Sequence, residues 1–509
     1  MKKYADLELD ERLKVTHAIC EELEAEEEAQ QAFSGLEEVP EDRCINPLED
    51  RSRYPWNDIG CGNLFADSFR DICRYVPEAK NWYYYDGKAW RLDVGKLVVS
   101  QQAKILTGYL LRLGATTQQL EDGAKEQFVK FALQRQQRKY RDTMLRDAES
   151  VYPISINEFD KNPHMFNCSN GTLNLQTMQF EKPNSTDLLS KIANVHYEPD
   201  VCCERWEQFI NEIFCGDGDL ARFFQKSAGY CLTGDTSQEC LFILFGPTTR
   251  NGKGVCTGTI VNLMGDYAAT AQAETLAEKL HANSSNASED VARLKGARLV
   301  NVPEPKIRLK LDEAKVKQFT GGDRVTARFL HENSFEFLPQ WKWLIHTNHL
   351  PTVKDNSLFG SGRVHVIPFN RHFKQEERDT TLKTFFMSED SKTGVLNWIL
   401  EGYRLYMQEG FASIPAAVKS ATDEYKQESD IIGQFIAENL TECIGNRMTT
   451  AEVHTAYTSW CYLNNYKPLS SRNFVPEIRT RLNVERNNRI GNYVAGQMLI
   501  KDFPQHWDT

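Results

Sequence analysis

The sequence predicts an α/β protein with a mainly parallel sheet, preceded by a smaller α+β part and followed by a helix-rich one. Three observations predict this class. Short apolar strands alternate with helical patterns from about residue 206 onward. One of these strands runs into a polar loop that ends in Gly252-Lys253 and precedes a helical pattern. The C-terminal segments "MTTAEVHTAYTSWCYLNN", "SSRNFVPEIRTRLN" and "VERNNRIGNYVAGQMLIKD" indicate two helices and then a two-stranded ribbon.

Composition limits the class of protein. A chain of 509 residues with 41% hydrophobic residues is long enough for about two to four domains with their own cores. No apolar run approaches the roughly 18 residues of a membrane span, and "MKKYADLELDER" lacks the apolar segment of a secretory signal. We therefore expect a cytoplasmic protein with no membrane partner. The 13 cysteines have no paired spacing, which favours reduced thiols, and a zinc site of His17, Cys20, Cys44 and Cys61 would match no known pattern.

Charge is distributed unevenly along the chain. The net charge of −11 argues against a protein that coats nucleic acid over its whole surface, but a basic channel inside an acidic shell remains compatible with it. Much of the acidity lies in "EELEAEEEAQQ", within a predicted acidic arm of residues 1–55. No activity is assigned to this arm.

The next region, residues 56–205, shows two hairpin signals. "WYYYDGKAWRL" sets two aromatic strands around Asp86-Gly87, and "NGTLNLQTMQFEK" predicts a second hairpin. Packing in a small sheet is favoured over base stacking for Trp82, Tyr84 and Trp90. Between the hairpins, "KFALQRQQRKYRDTMLRDA" predicts a basic helix whose charged face either contacts solvent or faces DNA. Its basic residues are Arg135, Arg138, Lys139 and Arg141.

The stretch "LFILFGPTTRNGKGVC" is the strongest local signal for a nucleotide site. Backbone amides of such a loop, with the positive end of the following helix, surround phosphates, and the lysine reaches the terminal ones. Two features depart from the usual pattern. Five residues instead of four lie between Gly246 and the Gly252-Lys253 pair, and Gly254 stands where a residue with a magnesium-binding hydroxyl is expected. The candidate nucleotide-binding residues are Gly246, Pro247, Thr248, Thr249, Arg250, Asn251, Gly252, Lys253 and Gly254.

Polar residues also follow two later strands. "ARLVNV" ends at Pro303-Glu304, where a carboxylate would hold magnesium or polarise the attacking water. "WKWLIHT" ends at Asn348, whose amide would orient that water. The carboxyl ends of parallel strands meet at one edge of a sheet, so we expect Lys253, Glu304 and Asn348 to lie together. Taken singly, Glu304 also fits a solvated loop acid, and Asn348 a turn residue.

Four motifs in this order carry a resemblance to a known family: "FGPTTRNGKG", "RLVNVPEP", "KQFTGGDRVTARFL" and "HTNHLP" with "GRVHVIPF". Over about residues 60 to 505, the chain resembles the helicase portion of the poxvirus-type and phage-plasmid primase-helicases, superfamily three DNA helicases of the AAA+ class. The resemblance implies a P-loop ATPase core at 206–428, an N-terminal helicase-associated domain at 56–205 and a winged-helix domain at 429–509.

The resemblance also implies residue roles. Lys253 would be the lysine that contacts the ATP phosphates, and Glu304 the catalytic acid and magnesium ligand. Asn348 would be the sensor residue of the ATPase. Arg363 becomes the arginine finger, which reaches the ATP of a neighbouring subunit. The motif "TGGD" at 320–323 belongs to the superfamily, and "VTARFLHENSFEFL" becomes a hairpin that projects into a ring's channel. The candidate DNA-binding residues are Lys317, Arg328 and His331.

The chain departs from the family at two positions. Gly254 replaces the usual serine or threonine, and Gly362-Arg363 stands where the family shows two arginines or Trp-Arg. We expect a working variant, in which magnesium takes water in place of the missing hydroxyl or recruits Thr248, Thr249 or Thr257.

The expected function is a stand-alone, ATP- and Mg²⁺-dependent replicative DNA helicase of a phage, prophage or plasmid. It would act on single-stranded and forked DNA as a ring, which we expect to be a hexamer. We also expect it to work with a separate primase, because "DLELD" is the only segment that resembles the paired metal-binding acids of a primase. Two alternatives remain open: an AAA+ remodelling or loading ATPase without unwinding, and a DNA-binding assembly protein with a decayed nucleotide site.

Overall fold

The structure is a computed structural model that describes residues 43–278, 289–304, 309–328, 334–353, 357–489 and 491–500. Its helices are α1 (Asp58–Ser68), α2 (Leu97–Thr116), α3 (Asp122–Arg135), α4 (Arg138–Ala148), α5 (Glu204–Ile213), α6 (Gly218–Cys231), α7 (Lys253–Met264), α8 (Glu289–Ala292), α9 (Glu313–Thr320), α10 (Ser357–Gly360), α11 (Leu382–Phe385), α12 (Glu389–Glu409), α13 (Ala416–Ser429), α14 (Ile431–Asn439), α15 (Thr450–Leu463) and α16 (Ser471–Arg479).

Its strands are β1 (Cys73–Val76), β2 (Asn81–Tyr85), β3 (Trp90–Leu92), β4 (Met165–Cys168), β5 (Gly171–Asn174), β6 (Gln179–Glu181), β7 (Leu241–Phe245), β8 (Ala268–Thr270), β9 (Leu299–Val302), β10 (Val325–Ala327), β11 (Phe335–Phe337), β12 (Lys342–Thr347), β13 (Val364–Pro368), β14 (Leu440–Thr449), β15 (Val484–Asn487) and β16 (Gly491–Leu499). In the part of the chain that the structure describes, no helix has the length and apolar character needed to cross a bilayer.

A five-stranded parallel sheet lies at the centre of the fold. Its strand order is β13-β7-β12-β9-β8, and each neighbouring pair is parallel. This confirms the predicted α/β class with a parallel sheet. The sequence pattern indicated four of these strands; it missed β8, which is only three residues long.

Both faces of this sheet are covered, which explains why β7 reads as the uninterrupted apolar run "LFILF". Phe242 and Leu244 pack into one hydrophobic cluster with α6 and α12. Leu241 and Ile243, which point the other way, pack into a second cluster with α9 and the β10–β11 pair. The edge strand β13 is fully buried because α13 lies along it, and Val366 N donates to Thr422 Oγ1 at 3.0 Å.

The N-terminal part contains both predicted hairpins. Strands β2 and β3 pair antiparallel, as do β5 and β6. Trp82 and Trp90 are buried at 2% exposure each, so they pack in the core and are not available for base stacking.

The prediction of a single basic helix between the hairpins is wrong. The chain forms α3 and α4, because Gln137 adopts extended backbone angles (φ −73°, ψ 141°) between them. Arg135 is not on a solvated face: it is buried, ion-paired with Asp58, and its guanidinium lies over the rings of Phe131 and Tyr140.

Hydrophobic clusters run across the predicted domain limits. Most of the buried apolar residues from Cys44, at the end of the predicted arm, to Ala148 share one cluster. Phe166, Leu173 and Val195 instead pack with the core of the parallel sheet. Arg298, directly before β9, joins β4 to the residue after α6 by donating to Met165 O at 2.6 Å and to Leu232 O at 2.5 Å. The division at residues 55, 205 and 428 stays a prediction.

The C-terminal part has its own small core. The order is α14, β14, α15, α16, β15, β16, and the three strands form an antiparallel sheet in the order β14-β16-β15. Phe435, Tyr457, Phe474 and Val494 fill the space between helices and sheet. The two helices and the ribbon are present where the sequence pattern placed them, whereas α14 and β14 were not predicted.

Candidate nucleotide site

The loop between β7 and α7 depends on glycine at two positions. Gly252 has φ +85°, and a Cβ there would lie 2.4 Å from Ile213 Cγ2 on α5. A Cβ on Gly246 would lie 2.4 Å from Asn251 Nδ2 and 2.6 Å from Phe369 O. Side chains cannot be accommodated at either position without moving the backbone or the core, which explains these two glycines.

Polar contacts fix the loop between these glycines. Asn251 is buried; its Nδ2 donates to Thr248 O at 2.7 Å, and its Oδ1 accepts from Lys253 N at 3.4 Å. From the segment after β13, Phe373 N donates to Arg250 O at 2.9 Å. Thr248 and Arg250 remain exposed. The loop is therefore held from its buried side while its outer side is accessible to a ligand.

Lys253 joins the ends of two neighbouring strands. Its Nζ donates to Asn348 Oδ1 at 2.7 Å, to Thr347 O at 2.7 Å and to Gly246 O at 3.1 Å. The side chain is buried, and burial lowers the pKa of Lys253 to about 8, although the charge of Glu304 acts in the opposite direction. The ammonium is thus charged at neutral pH and lies beside the predicted sensor.

Glu304 lies two residues beyond β9 and is exposed. Its charge acts on both Lys253 and His346, so it lies near the same edge of the sheet. The structure therefore brings Lys253, Glu304 and Asn348 together at the carboxyl ends of β7, β9 and β12, where open parallel sheets bind ligands.

The residues present fit magnesium bound together with phosphates. Among the described residues, no three or more His, Cys, Asp or Glu side chains group to hold a metal. Mg²⁺ needs no such cage, because it retains waters and binds through one or two carboxylates and the substrate's phosphates. Glu304 can supply a carboxylate, and Thr248 and Thr249 are exposed hydroxyls. The hydroxyl of Thr257 is buried and donates to Lys253 O at 2.9 Å.

His346 is a member of this edge that the sequence analysis missed. It precedes the last residue of β12 and is half-buried. Burial lowers its pKa, the Lys253 charge lowers it further, and Glu304 opposes both. Its place in "WKWLIHT", two residues before Asn348, was the available signal.

Arg363 directly precedes β13, at the opposite end of the parallel strands from Lys253. Its carbonyl accepts from Leu241 N at 2.8 Å, so it sits beside the start of β7, whereas the phosphate loop follows the end of that strand. Five strand residues span about 17 Å. Its guanidinium donates to Thr320 Oγ1 at 2.8 Å and is ion-paired with Glu239. Within one chain, therefore, Arg363 is not brought together with Lys253.

Two of the three predicted DNA-binding residues, Lys317 and Arg328, are among the described residues, and strands β10 and β11 next to Arg328 pair antiparallel. Lys317 on α9 is half-buried and donates from Nζ to Ser357 Oγ at 2.7 Å. Arg328 directly follows β10 and is half-buried. His331 lies outside the described residues, as do residues 305–308 between β9 and α9.

Two family models match parts of the chain that flank the parallel sheet. The model described as "D5 N terminal like" matches residues 62–215, and "Poxvirus D5 protein-like" matches residues 427–503. The chain carries both D5-type domains. This confirms the resemblance to the poxvirus-type primase-helicase family.

Viral proteins are similar to this D5-type chain at modest identity. The putative helicase L207/L206 of Acanthamoeba polyphaga mimivirus is 26% identical over 420 residues, which cover 76% of this chain and 43% of the relative. The putative helicase 022R of Frog virus 3 is 26% identical over 272 residues, covering 50% and 28%. The putative primase C962R of African swine fever virus is 20% identical over 354 residues, covering 64% and 36%.

The D5-type chain thus spans less than half the length of these curated relatives. Among solved structures, the A form apo structure of the NrS-1 C-terminal region covers 83% of this chain and 96% of its own, with 10% identity and a TM-score of 0.44. The relatives named here are viral proteins, and the predicted phage, prophage or plasmid origin stays a prediction.

Proposed function

We propose that this D5-type chain is an ATP-dependent DNA helicase of viral or plasmid-type replication, with an AAA+ core that works as a ring. The observation that carries the proposal is the meeting of Lys253, Glu304 and Asn348 at one edge of the parallel sheet. A lysine from a glycine-rich loop, an acid and an amide at neighbouring strand ends are the groups that phosphoryl transfer to water requires. The names of the relatives support helicase chemistry.

Phosphate binding is assigned to the loop and to α7. Gly252 is the N-cap of α7, so the first amides of that helix and its positive end point toward the loop. Lys253 adds a positive charge that is largely shielded from water. In this environment the attraction between the ammonium and a terminal phosphate is stronger than it would be in bulk solvent.

Hydrolysis is assigned to Glu304 and Asn348. Magnesium, when bound with the nucleotide, would neutralise phosphate charge, and Glu304 with Thr248 or Thr249 would hold it or its waters. The Glu304 carboxylate would also polarise the attacking water. Asn348, which contacts Lys253, would orient that water against the γ-phosphate.

DNA binding is assigned to the β10–β11 hairpin and to the C-terminal part, which has the helix and strand order of a winged helix. Arg472 and Arg479 on α16 are exposed and available for duplex contacts or for a partner protein. Arg481 is engaged internally: it donates to Asp430 Oδ1 at 3.1 Å and to Glu477 Oε2 at 2.8 Å.

A strand-displacement assay on a forked duplex, with ATP and magnesium, tests the proposal. We expect displacement by the parent protein, none by Glu304→Gln, and ATP turnover that rises when single-stranded DNA is added. Turnover without displacement and without a response to DNA would indicate a remodelling ATPase instead. DNA binding without any turnover would indicate a decayed nucleotide site.

A further inference from the structure

A small cluster of side chains surrounds Arg363 at the amino ends of β7 and β13, away from the phosphate loop. The guanidinium donates from Nη1 to Thr320 Oγ1 at 2.8 Å and to the main-chain oxygen of Glu239 at 3.4 Å, and from Nη2 to the Glu239 carboxylate. Of the five N–H groups of an arginine, these contacts use three. Within the described residues, the Nε–H and one Nη2–H are left for a ligand.

Thr320 presents its hydroxyl in a fixed orientation. The side chain is 3% exposed, and Thr320 Oγ1 donates to Val316 O at 2.7 Å, one turn earlier in α9. Because its proton is directed to that carbonyl, the oxygen offers a lone pair to Arg363. Thr320 is the first residue of the "TGGD" motif, so this motif borders the arginine and not the phosphate loop of its own chain.

Glu239 is held by its own loop, residues 233–239. Its N–H donates to Thr236 O at 2.9 Å, and its φ of +47° is unusual for a residue with a side chain. The start of the loop is fixed by Lys342, whose buried Nζ donates to Thr233 O and to Asp235 O. Strained backbone held by surrounding contacts is found at sites where one group must be presented in a fixed place.

We propose that Glu239 and Thr320 are positioning residues for Arg363. They fix its guanidinium at the subunit boundary, with its two remaining donors directed to the γ-phosphate of a neighbouring subunit's ATP. This inference rests on the proposed ring ATPase. It adds Glu239, to which the sequence analysis assigned no role, and it gives a role to the hydroxyl of "TGGD".

The energetic reason is the conformational freedom of arginine. A long, flexible side chain loses rotamer entropy when it is fixed in one conformation. Three hydrogen bonds made in advance, one of them to a carboxylate, mean that this ordering does not have to occur during phosphoryl transfer. A group that acts only when charge develops on the phosphate changes kcat and leaves nucleotide binding unchanged.

Matched substitutions test each contact. Thr320→Ser keeps the hydroxyl and should keep the parent kcat, whereas the isosteric Thr320→Val should lower kcat by about tenfold or more without raising the KM for ATP. Glu239→Ala should lower kcat similarly, and Glu239→Gln by less, since the amide oxygen still accepts a hydrogen bond. Glu401→Ala removes another surface carboxylate, paired with Arg404 on α12, and serves as the control.

A mixing experiment separates positioning from a loss of structure. A Glu239→Ala chain has an intact phosphate loop, and a Lys253→Ala chain has an intact, correctly held arginine. In a mixture, Glu239→Ala chains receive a competent arginine from Lys253→Ala neighbours, so turnover per Glu239→Ala chain should rise several-fold over that protein alone. A purely structural defect stays within its own subunit and would not be rescued.

The inference is overturned if Glu239→Ala and Thr320→Val both turn over at the parent rate, if they turn over faster, or if mixing gives no recovery. Failure of the proposed ATPase gives a different result, since the parent protein would then hydrolyse no ATP at all. A parent that hydrolyses ATP, loses this activity in Arg363→Ala and keeps it in Glu239→Ala would refute only the role of Glu239.

Discussion

Lys253 Nζ and Asn348 Oδ1 lie 2.7 Å apart although 95 positions separate the two residues in the chain. Strands β7 and β12 are parallel neighbours, with Phe245 opposite Thr347, so the residues that follow each strand meet. The lysine at the start of α7 and the amide that follows β12 are thereby placed at the carboxyl ends of the strands, together with Glu304, which follows β9. The proposed chemistry of the chain depends on this arrangement.

The first prediction separates binding from hydrolysis. Lys253→Ala removes the positive charge and should weaken ATP binding at least about tenfold, whereas Glu304→Gln should bind ATP as the parent does and hydrolyse it about 100-fold more slowly. Equilibrium binding of a fluorescent ATP analogue and steady-state ATPase assays measure the two effects. A Glu304→Gln protein that turns over at the parent rate would refute the assignment of β9.

A thermal unfolding measurement is the necessary control for Lys253→Ala. The substitution removes the lysine donor from three oxygens; Thr347 O still accepts from Gly246 N at 3.2 Å, and a buried acceptor left unpaired costs about 1–3 kcal/mol. Glu304 is exposed, so Glu304→Gln should unfold at the parent temperature.

The second prediction compares two glycines of the loop. A Cβ on Gly254 meets no atom within 4 Å, and the residue is helical and exposed, so Gly254→Ser should fold like the parent and tighten the magnesium dependence of turnover. Gly252→Ser should lose nucleotide binding and stability, because its φ is +85° and its Cβ would lie 2.4 Å from Ile213 Cγ2. Magnesium titrations of ATPase activity and unfolding curves measure both.

Activity that appears only after Gly254→Ser, in a parent that is silent at every magnesium concentration, would instead indicate a decayed site.

The local pattern of the chain was sufficient to predict the long strands and the positions of Lys253, Glu304 and Asn348. Apolar runs buried on both faces have a distinct composition, and polar residues directly after them fall at a common edge. The break between α3 and α4 could not be predicted, since no glycine or proline marks it in "QRQQRKY". Strand β8 was too short for a periodic signal.

The environment of Arg363 could not be predicted because it depends on which strands are neighbours. Glu239 precedes β7, and Arg363 precedes β13, 124 positions later in the chain. Only the pairing of Leu241 with Val364 brings them side by side. A sequence gives the end of each strand, but the order of strands in a sheet arises from long-range packing that no local window contains.

The third prediction concerns acid stability. His365 on β13 lies among the rings of Phe223, Phe242 and Phe411, and burial lowers its pKa to about 4. The neutral form is therefore favoured in the folded state. The contribution of neutral His365 to the free energy of unfolding is fully present above the unfolded-state pKa of about 6.5. It is lost as pH falls toward 4, by up to about 3 kcal/mol.

Replacing His365 by phenylalanine removes this titration while retaining an aromatic ring. Urea unfolding of parent and His365→Phe at pH 7.5 and pH 5 measures the difference, and the parent should lose more stability between the two values. An equal loss in both proteins would show that His365 does not contribute to acid sensitivity.

The fourth prediction concerns the segment between β10 and β11, which contains His331. A hairpin that grips single-stranded DNA through phosphates and sugars should bind without sequence preference and weaken as salt rises. His331→Ala should lower strand displacement by about tenfold while DNA-free ATPase activity stays within about twofold of the parent. Equal loss of both activities would point to a folding defect and not to a DNA contact.

The last prediction asks whether turnover requires two subunits. Arg363 lies beside the start of β7, about 17 Å from the loop that follows the end of that strand, so it cannot contact a phosphate held by its own Lys253. A guanidinium provided by a neighbour would stabilise the charge that builds on the γ-phosphate. Activity per chain should then fall when the protein is diluted below its association range. Arg363→Ala and Lys253→Ala should each be inactive, yet a mixture should recover turnover wherever an Arg363→Ala subunit holds the ATP and a Lys253→Ala neighbour lends its arginine. A mixture as inactive as its two components, in a protein whose assembly is verified by light scattering, would refute the shared site.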